Sequence, residues 1–408
     1  MSREKIQPIW KIIGIIACVY FFIVGIGGMG HSFKLFGAEF ADKVLKTTAS
    51  PFVGLFIGIL STALVQSSST VTSIIVGMVA AGAISIEGAI PMVMGANIGT
   101  TITNLLVSLG HITRSDEFKR AFAAATVHDA FNWIVVLVLF PLELMTGILA
   151  KIATVLANSF ASMGGMKIAN PLKAATKPVI KTISGIVQDQ PIVMLIVSVL
   201  LTFAMLYLIV KILRSLVLEK VQKMFDEHIF KNAGRAMLFG LVLTVAVQSS
   251  SITTSLIIPL AGAGVLRLIQ ILPYTLGANV GTTVTAMLAA LSTGEVAATT
   301  VAFAHLMFNI LGIVLVWPIE KIRNIPIKIA EWLAEMSVKN RLIPFGFIFV
   351  IFFGIPLVLI LLFNPKEPAA TTEAPQPARV ETVPGTNAAP PTNAVIVTNA
   401  AATNQTAQ

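Results

Sequence analysis

Charged side chains are scarce in this sequence, and where they are missing matters more than how few there are. Asp, Glu, Lys and Arg make up 12% of the 408 residues, against 56% hydrophobic. Thr47–Ile86 carries no charge at all, and neither does Ala236–Leu266. A chain so poor in charge cannot cover an ordinary globular surface, so it reads as a polytopic membrane protein. The single cysteine, Cys18, excludes an internal disulfide and says nothing about compartment. The net charge of +9 does not point to nucleic acid. Lys and Arg gather in short segments between apolar runs, as orientation in a membrane requires.

Polar residues stand out inside this apolar background. Gln66-Ser67-Ser68-Ser69 lies in the middle of the first uncharged run, and Gln248-Ser249-Ser250-Ser251 in the middle of the second. Four adjacent polar side chains at membrane depth are costly unless something satisfies them. Pro51–Val65 and Ser69–Gly82 make helices of only about 20–22 Å at 1.5 Å per residue, short of a ~30 Å hydrocarbon core. The spacing predicts a re-entrant hairpin with the serines at its tip, and a second hairpin around Gln248.

The two stretches belong to an internal repeat. Gln66 recurs as Gln248 and Asn97 as Asn279 at one constant offset, and 17 of the 38 positions from Gln66 to Thr103 match without gaps. His128 and Asn132 are echoed by His305 and Asn309. Spans are expected at Ile12–Met29, Gly88–Leu109, Phe122–Phe140, Pro191–Val210, Leu268–Leu291, Val296–Pro318 and Leu342–Phe363. The second and fifth carry Gly, Asn and Thr at 95–101 and 277–283, which reads as locally unwound backbone. Three crossings plus a hairpin per half turn the second half upside down. The fold class is therefore an all-α membrane protein of two inverted-topology repeats plus one extra C-terminal span. The first repeat covers 1–149, an extracytoplasmic linker without a crossing 150–189, and the second repeat 190–325. An amphipathic segment and the last span fill 326–363, and an Ala/Pro/Thr/Asn tail without core-forming residues fills 364–408. Loop charge places the N-terminus in the cytoplasm and the tail outside. Gly25–Gly30 fits G-x-G-x-x-G but ends an apolar helix, so it is no dinucleotide site.

The chemistry follows from helix ends. The first N–H groups of a helix have no internal partner and the dipole is positive there, so a Ser-rich start attracts an anion. Gln and Asn amides, Thr hydroxyls and freed carbonyls suit a hard cation such as Na⁺. Between Thr47 and Leu109 the only charge is Glu87, and between Ala236 and Leu291 it is Arg267. Without a carboxylate or His in the repeated motifs, cation coupling is favoured over proton coupling. The bland readings weigh as follows. One Ser-Ser-Ser alone is more often helix packing, and repetition with Gln and the Asn/Thr motif outweighs that. The glycines could be packing residues. The His/Asn pairs and Asp129 are read first as structural hydrogen-bonding groups. A Ser nucleophile is excluded because neither motif has a His or Lys base beside it, so the chain is not read as an enzyme.

These motifs resemble the type II sodium–phosphate cotransporter family in its shorter bacterial form. The paired Gln-Ser-Ser-Ser stretches, Gly95–Thr101 with Gly277–Thr283, and Phe118–Phe122 through Thr126–Asp129 to Phe131-Asn132-Trp133 carry the resemblance over about residues 10–325. It implies Na⁺-driven uptake of inorganic phosphate across the plasma membrane, a bacterial inner membrane, with both hairpins lining one midplane site. Phosphate is expected at Gln66, Ser67, Ser68, Ser69, Asn97, Thr100, Gln248, Ser249, Ser250, Ser251, Asn279 and Thr282. Sodium is expected at Gln66, Ser69, Thr72, Asn97, Thr101, Gln248, Ser251, Thr254, Asn279 and Thr283. The partners implied are phosphate, sodium and lipid, with a homo-oligomer compatible and no nucleic acid. A carrier for another oxyanion or small carboxylate, and a phosphate-gated channel or sensor, are the alternatives. Animal members have a larger disulfide-linked loop between the halves and a cytoplasmic C-terminus, so the tail's role here is not implied.

Overall fold

The computed structural model describes residues 3–37, 50–165, 169–224 and 227–363. Of the segment His31–Lys46, expected at the interface, His31–Phe36 continues α1 and the part after Gly37 lies outside these residues, as does the tail from Asn364, expected to be unstructured. The chain divides at Pro365, and the description concerns the unit Met1–Pro365.

Every regular element among the described residues is helical. The first half runs α1 (Arg3–Phe36), α2 (Pro51–Val65), α3 (Ser68–Ala80), α4 (Ile86–Gly99), α5 (Ile102–Leu109) and α6 (Ser115–Thr146). α7 (Ile148–Ser162) and α8 (Ala169–Ile186) follow. The second half runs α9 (Pro191–Met224), the one-turn α10 (Glu227–Phe230), α11 (Ala233–Val247), α12 (Ser250–Ser255), α13 (Ile257–Gly262), α14 (Leu268–Thr293) and α15 (Val296–Val316). The chain closes with α16 (Glu320–Lys339), α17 (Ile343–Phe349), a π turn at Val350–Gly354 and α18 (Ile355–Phe363). Pro356 lacks the N–H that a regular helix would bond one turn back, which accounts for the π turn before it.

Among the described residues six stretches are long and apolar enough to cross a membrane: Trp10–Phe36, Ile86–Leu109, Ser115–Thr146, Pro191–Ile209, Val296–Val316 and Ile343–Phe363. Six of the seven expected spans are therefore present by this measure. The seventh, α14, has the length, but Asn279, Thr282, Thr283 and Thr285 make it more polar. The sequence reading also expects α14 to be interrupted, and it is continuous from Leu268 to Thr293. Within this continuous helix Thr282 returns its hydroxyl to Ala278 O at 3.0 Å and Thr283 to Val280 O at 2.7 Å. Only the first half breaks, at Thr100-Thr101 between α4 and α5.

The glycines serve close approach rather than unwinding. A Cβ on Gly95 would sit 2.0 Å from Leu55 O, and one on Gly277 1.8 Å from Met237 O. Backbone of α4 thus lies on backbone of α2, and α14 on α11 in the same way. The Gly25–Gly30 motif is likewise a packing seam. A Cβ on Gly25 would fall 2.4 Å from Thr202 Oγ1 of α9, and one on Gly28 2.4 Å from Ser198 Oγ.

The expected linker is helical over most of its length. α6 ends in the left-handed Gly147, and the buried Glu143 carboxylate caps α7 by accepting from Leu149 N at 2.6 Å and Ala150 N at 3.2 Å. α7 buries Leu149, Ala153 and Ala157 and packs on α15. The second arm of the first helix pair, α3, packs on α14 of the other half, and α12 packs on α5. Each Gln-Ser turn is thereby brought against the polar helix of the opposite repeat.

Candidate functional site

The two Gln-Ser turns have one geometry. Gln66 and Gln248 both adopt φ 55°, ψ 27°, with their N–H groups closing α2 and α11 onto Thr62 O and Thr244 O. Left-handed backbone costs a non-glycine residue about 1–2 kcal/mol, and glycine would take it freely. Glutamine at both positions points to a use for the side chain. Ser67 and Ser249 are extended N-caps whose hydroxyls accept from Thr70 N at 3.3 Å and Ile252 N at 3.4 Å. Behind them Ser68, Ser69, Ser250 and Ser251 are buried, and their hydroxyls have no hydrogen-bond partner among the described residues. Four free hydroxyls at two helix starts form the ready anion cradle that the sequence suggests.

A buried hydrogen-bond chain joins the second turn to the first repeat. Thr254 Oγ1 shares its one proton between Ser250 O at 2.8 Å and Asn104 Oδ1 at 3.0 Å, and Asn104 Nδ2 faces His128 Nδ1 at 3.4 Å. His128 Nε2 donates to Asn279 Oδ1 at 2.7 Å, Asn279 Nδ2 to Asn132 Oδ1 at 2.8 Å, and Asn132 Nδ2 to Asn97 O at 2.8 Å. From Asn104 onward every link is satisfied when His128 is neutral with its proton on Nε2. Thr285 adds a bond to Gln248 Oε1 at 2.8 Å. Beside this chain, Thr101 Oγ1 lies 2.7 Å from the buried Asp129 Oδ1 and 2.8 Å from Ile98 O, which share its one proton.

Of the expected site residues, Asn97, Thr101, Asn279, Gln248 and Thr254 thus enter cross-helix contacts. The N-caps Ser67 and Ser249 and the remaining threonines bond locally. Thr72 returns its hydroxyl to Ser68 O at 2.8 Å, and Thr100 to Ala96 O at 2.8 Å, as Thr282 and Thr283 do in α14. Gln66 is exposed and its side chain has no partner among the described residues. Asn104, Asn132, His128 and Asp129 are the residues missing from the expected set. The His128/Asn132 spacing marks them as one helix face, but Asp129 and Asn104 have no counterpart in the repeat, so the internal symmetry gives no signal for them.

The halves differ in what is satisfied. His305 Nδ1, Asn309 Oδ1 and Thr103 Oγ1 are buried without a partner, whereas their counterparts His128, Asn132 and Thr285 are all bonded.

Comparison with known proteins fits these motifs. The Na+/Pi-cotransporter family matches the chain over residues 21–169 and 199–330, which take in both Gln-Ser turns and both Asn/Thr segments. The chain is 33% identical over 450 residues to the human (Homo sapiens) sodium-dependent phosphate transport protein 2B, covering 86% of this chain and 65% of that protein. The orangutan (Pongo abelii) 2B protein gives the same figures. The sheep (Ovis aries) 2A protein is 35% identical over 403 residues, covering 79% of this chain and 63% of its own length. The chain thus spans slightly under two thirds of these relatives. No solved structure matches it. With both repeated motifs inside the matched residues, the chain belongs to the Na+/Pi-cotransporter family.

Proposed function

We propose that the protein is a symporter that couples Na⁺ entry to uptake of inorganic phosphate. The observation that carries this reading is the pair of like-shaped Gln-Ser turns, each followed by two buried serines at a helix start. Serine hydroxyls and helix-start N–H groups accept a tetrahedral oxyanion without a fixed positive charge, so charge balance falls to co-bound cations. Asn97, Asn279, the motif threonines and the two glutamines supply neutral oxygens for Na⁺. Asp129 beside Thr101 adds the one carboxylate that draws a cation to this place. The relatives' names point to the same substrate and ion.

The architecture proposed is two inverted repeats, with Pro51–Ala80 and Ala233–Gly262 as re-entrant hairpins entering from opposite faces. Helices of 15 and 13 residues on either side of the first turn support this, since neither spans a bilayer alone. The N-terminus is then cytoplasmic and the first hairpin opens outward. Phosphate occupies the space at Ser67–Ser69 and Ser249–Ser251, with Gln66, Gln248, Asn97, Thr100, Asn279 and Thr282 around it. Sodium takes oxygens from Ser69, Thr72, Thr101, Ser251, Thr254 and Thr283 and from the same glutamines and asparagines.

Radiolabelled phosphate uptake into proteoliposomes tests this. An inward Na⁺ gradient should drive accumulation above equilibrium, and equilibration without accumulation would make the protein a channel or sensor. The buried Asp129 supports one rival reading, in which a proton replaces Na⁺. Uptake driven by a pH gradient in Na⁺-free buffer would favour it.

A further inference from the structure

A cleft of about 560 Å³ lies between α1, α3, α8 and the end of α14, away from the Gln-Ser turns. Gly77 on α3 and Ser292 on α14 line it. Eight residues separate Gly77 from Ser69, and nine separate Ser292 from Thr283, so the cleft sits about 12–14 Å from the motif residues along both helices. Its walls carry Lys34, Lys177, Lys181 and His31 against one carboxylate, Glu295. Lys177 and Lys181 stand one turn apart on α8, a like-charge spacing that costs energy unless an anion offsets it. None of the three lysines has a hydrogen bond or ion pair among the described residues, and all three are exposed. His31 is held by Ser184 Oγ at 3.0 Å. A Cβ on Gly30 would meet nothing within 4 Å, whereas one on Gly27 would fall 2.6 Å from Ile180 Cδ1, so the open space lies on the Gly30 side.

A cleft of about 430 Å³ between α6, the turn before α14 and α16 offers a comparison. It too is basic, and two of its three cations are engaged. Lys119 pairs with Glu335 at 2.9 Å, and Arg120 donates to Gly262 O at 2.8 Å. Arg267 also lines this second cleft and has no ion pair among the described residues, so the first cleft differs in gathering three unpaired lysines.

We propose that this first cleft is a second anion site, a low-affinity vestibule where Lys34, Lys177 and Lys181 gather inorganic phosphate before it reaches the serine turns. Three unpaired cations on the walls of a low-dielectric cleft focus field into it and raise the local concentration of a divalent oxyanion. Delivery to the turns rests on the symport reading, in which this cleft faces outward. Binding in the cleft does not rest on it.

Two measurements test the proposal. In detergent without Na⁺, amine labelling of Lys34, Lys177 and Lys181 is followed by mass spectrometry, with the exposed Lys151 on α7 as internal reference. Millimolar inorganic phosphate should slow labelling of the three lysines and leave Lys151 unaffected. In proteoliposomes, the triple variant Lys34→Gln, Lys177→Gln, Lys181→Gln should raise the apparent KM for phosphate roughly 3–10-fold at low ionic strength. The effect should fade as salt is added, because screening weakens the wild type towards the variant. Unaltered lysine labelling, or an unchanged KM with the wild-type salt dependence, overturns the vestibule. Protection by phosphatidylglycerol but not by phosphate overturns it too and makes the cleft a lipid-headgroup site. If wild-type vesicles take up no phosphate, the symport reading fails, while the labelling arm still decides whether the cleft binds the anion.

Discussion

His128 Nε2 lies 2.7 Å from Asn279 Oδ1, joining helices 151 residues apart in the chain, while its repeat counterpart His305 has a buried Nδ1 with no partner. A buried polar group left unpaired costs about 1–3 kcal/mol, and one bonded on both sides contributes a comparable amount. His128→Ala should therefore lower the melting temperature of the detergent-purified, ligand-free protein clearly more than His305→Ala does. Thermal unfolding followed by tryptophan fluorescence measures this. Equal losses from the two substitutions would show that the asymmetry is not a property of the resting protein. If the halves exchange roles during transport, His305 and Asn309 take up Asn97 in the opposite state. Both variants should then slow uptake.

The turns differ in the same sense. Gln248 is held by Thr285 at 2.8 Å, and Gln66 is exposed and free, with Thr103 orphaned behind it. Gln66→Gly and Gln248→Gly should relieve left-handed strain of about 1–2 kcal/mol in each turn. Both proteins should fold at least as well as Gln→Ala variants while losing Na⁺-dependent phosphate uptake by tenfold or more. Near wild-type uptake by either glycine variant would remove that glutamine from the site.

Asp129 is the carboxylate closest to the expected sodium oxygens, through Thr101 at 2.7 Å. Asp129→Asn keeps the shape and the acceptor oxygen but removes the charge. The Na⁺ concentration for half-maximal uptake should rise by roughly tenfold, the equivalent of about 1.4 kcal/mol, with a smaller change in the phosphate KM. A variant with unaltered Na⁺ dependence would leave Asp129 a structural partner of Thr101 alone.

How far this molecule can be read from its sequence depends on which features are local. The two helix starts are legible because Ser67 and Ser249 cap their own helices, and the boundaries at Pro51 and Val65 fall where composition places them. The repeat is legible because Gln66 and Asn97 recur at one offset. The continuity of α14 is not. Gly277 and Gly281 suggest broken helix, and only the approach of α11 reveals that they make room for backbone. The helices of the expected linker are hidden for a similar reason. α7 is capped by Glu143, six residues back on another helix, an arrangement outside the usual capping pattern. The contact between Asp129 and Thr101 joins residues 28 apart on two helices, and neither helix pattern carries that distance.

The last prediction concerns the opposed entry of the two hairpins, which depends on parity. An odd number of crossings before Pro191 puts the second hairpin on the opposite face from the first. α7 is the element that could change that count, being apolar but only 15 residues long. At 1.5 Å per residue it covers about 22 Å, less than the ~30 Å hydrocarbon core, and it packs on α15. Cys18 is buried and is the only native thiol, so Cys18→Ala gives a background for labelling. In it, Ser67→Cys and Ser249→Cys place one thiol at each half-buried N-cap. A membrane-impermeant maleimide should reach the first from outside in oriented vesicles and the second from inside. Ser67→Cys should react faster in the ligand-free protein, because Gln66 beside it is exposed while Gln248 is held. Na⁺ with phosphate should slow both reactions by filling the space at the turns, and Na⁺ with gluconate, a bulkier carboxylate, should not. Reaction of both thiols from one face would mean that α7 crosses and the repeats are parallel. The serine turns could then still bind phosphate, but they could not act as opposed gates.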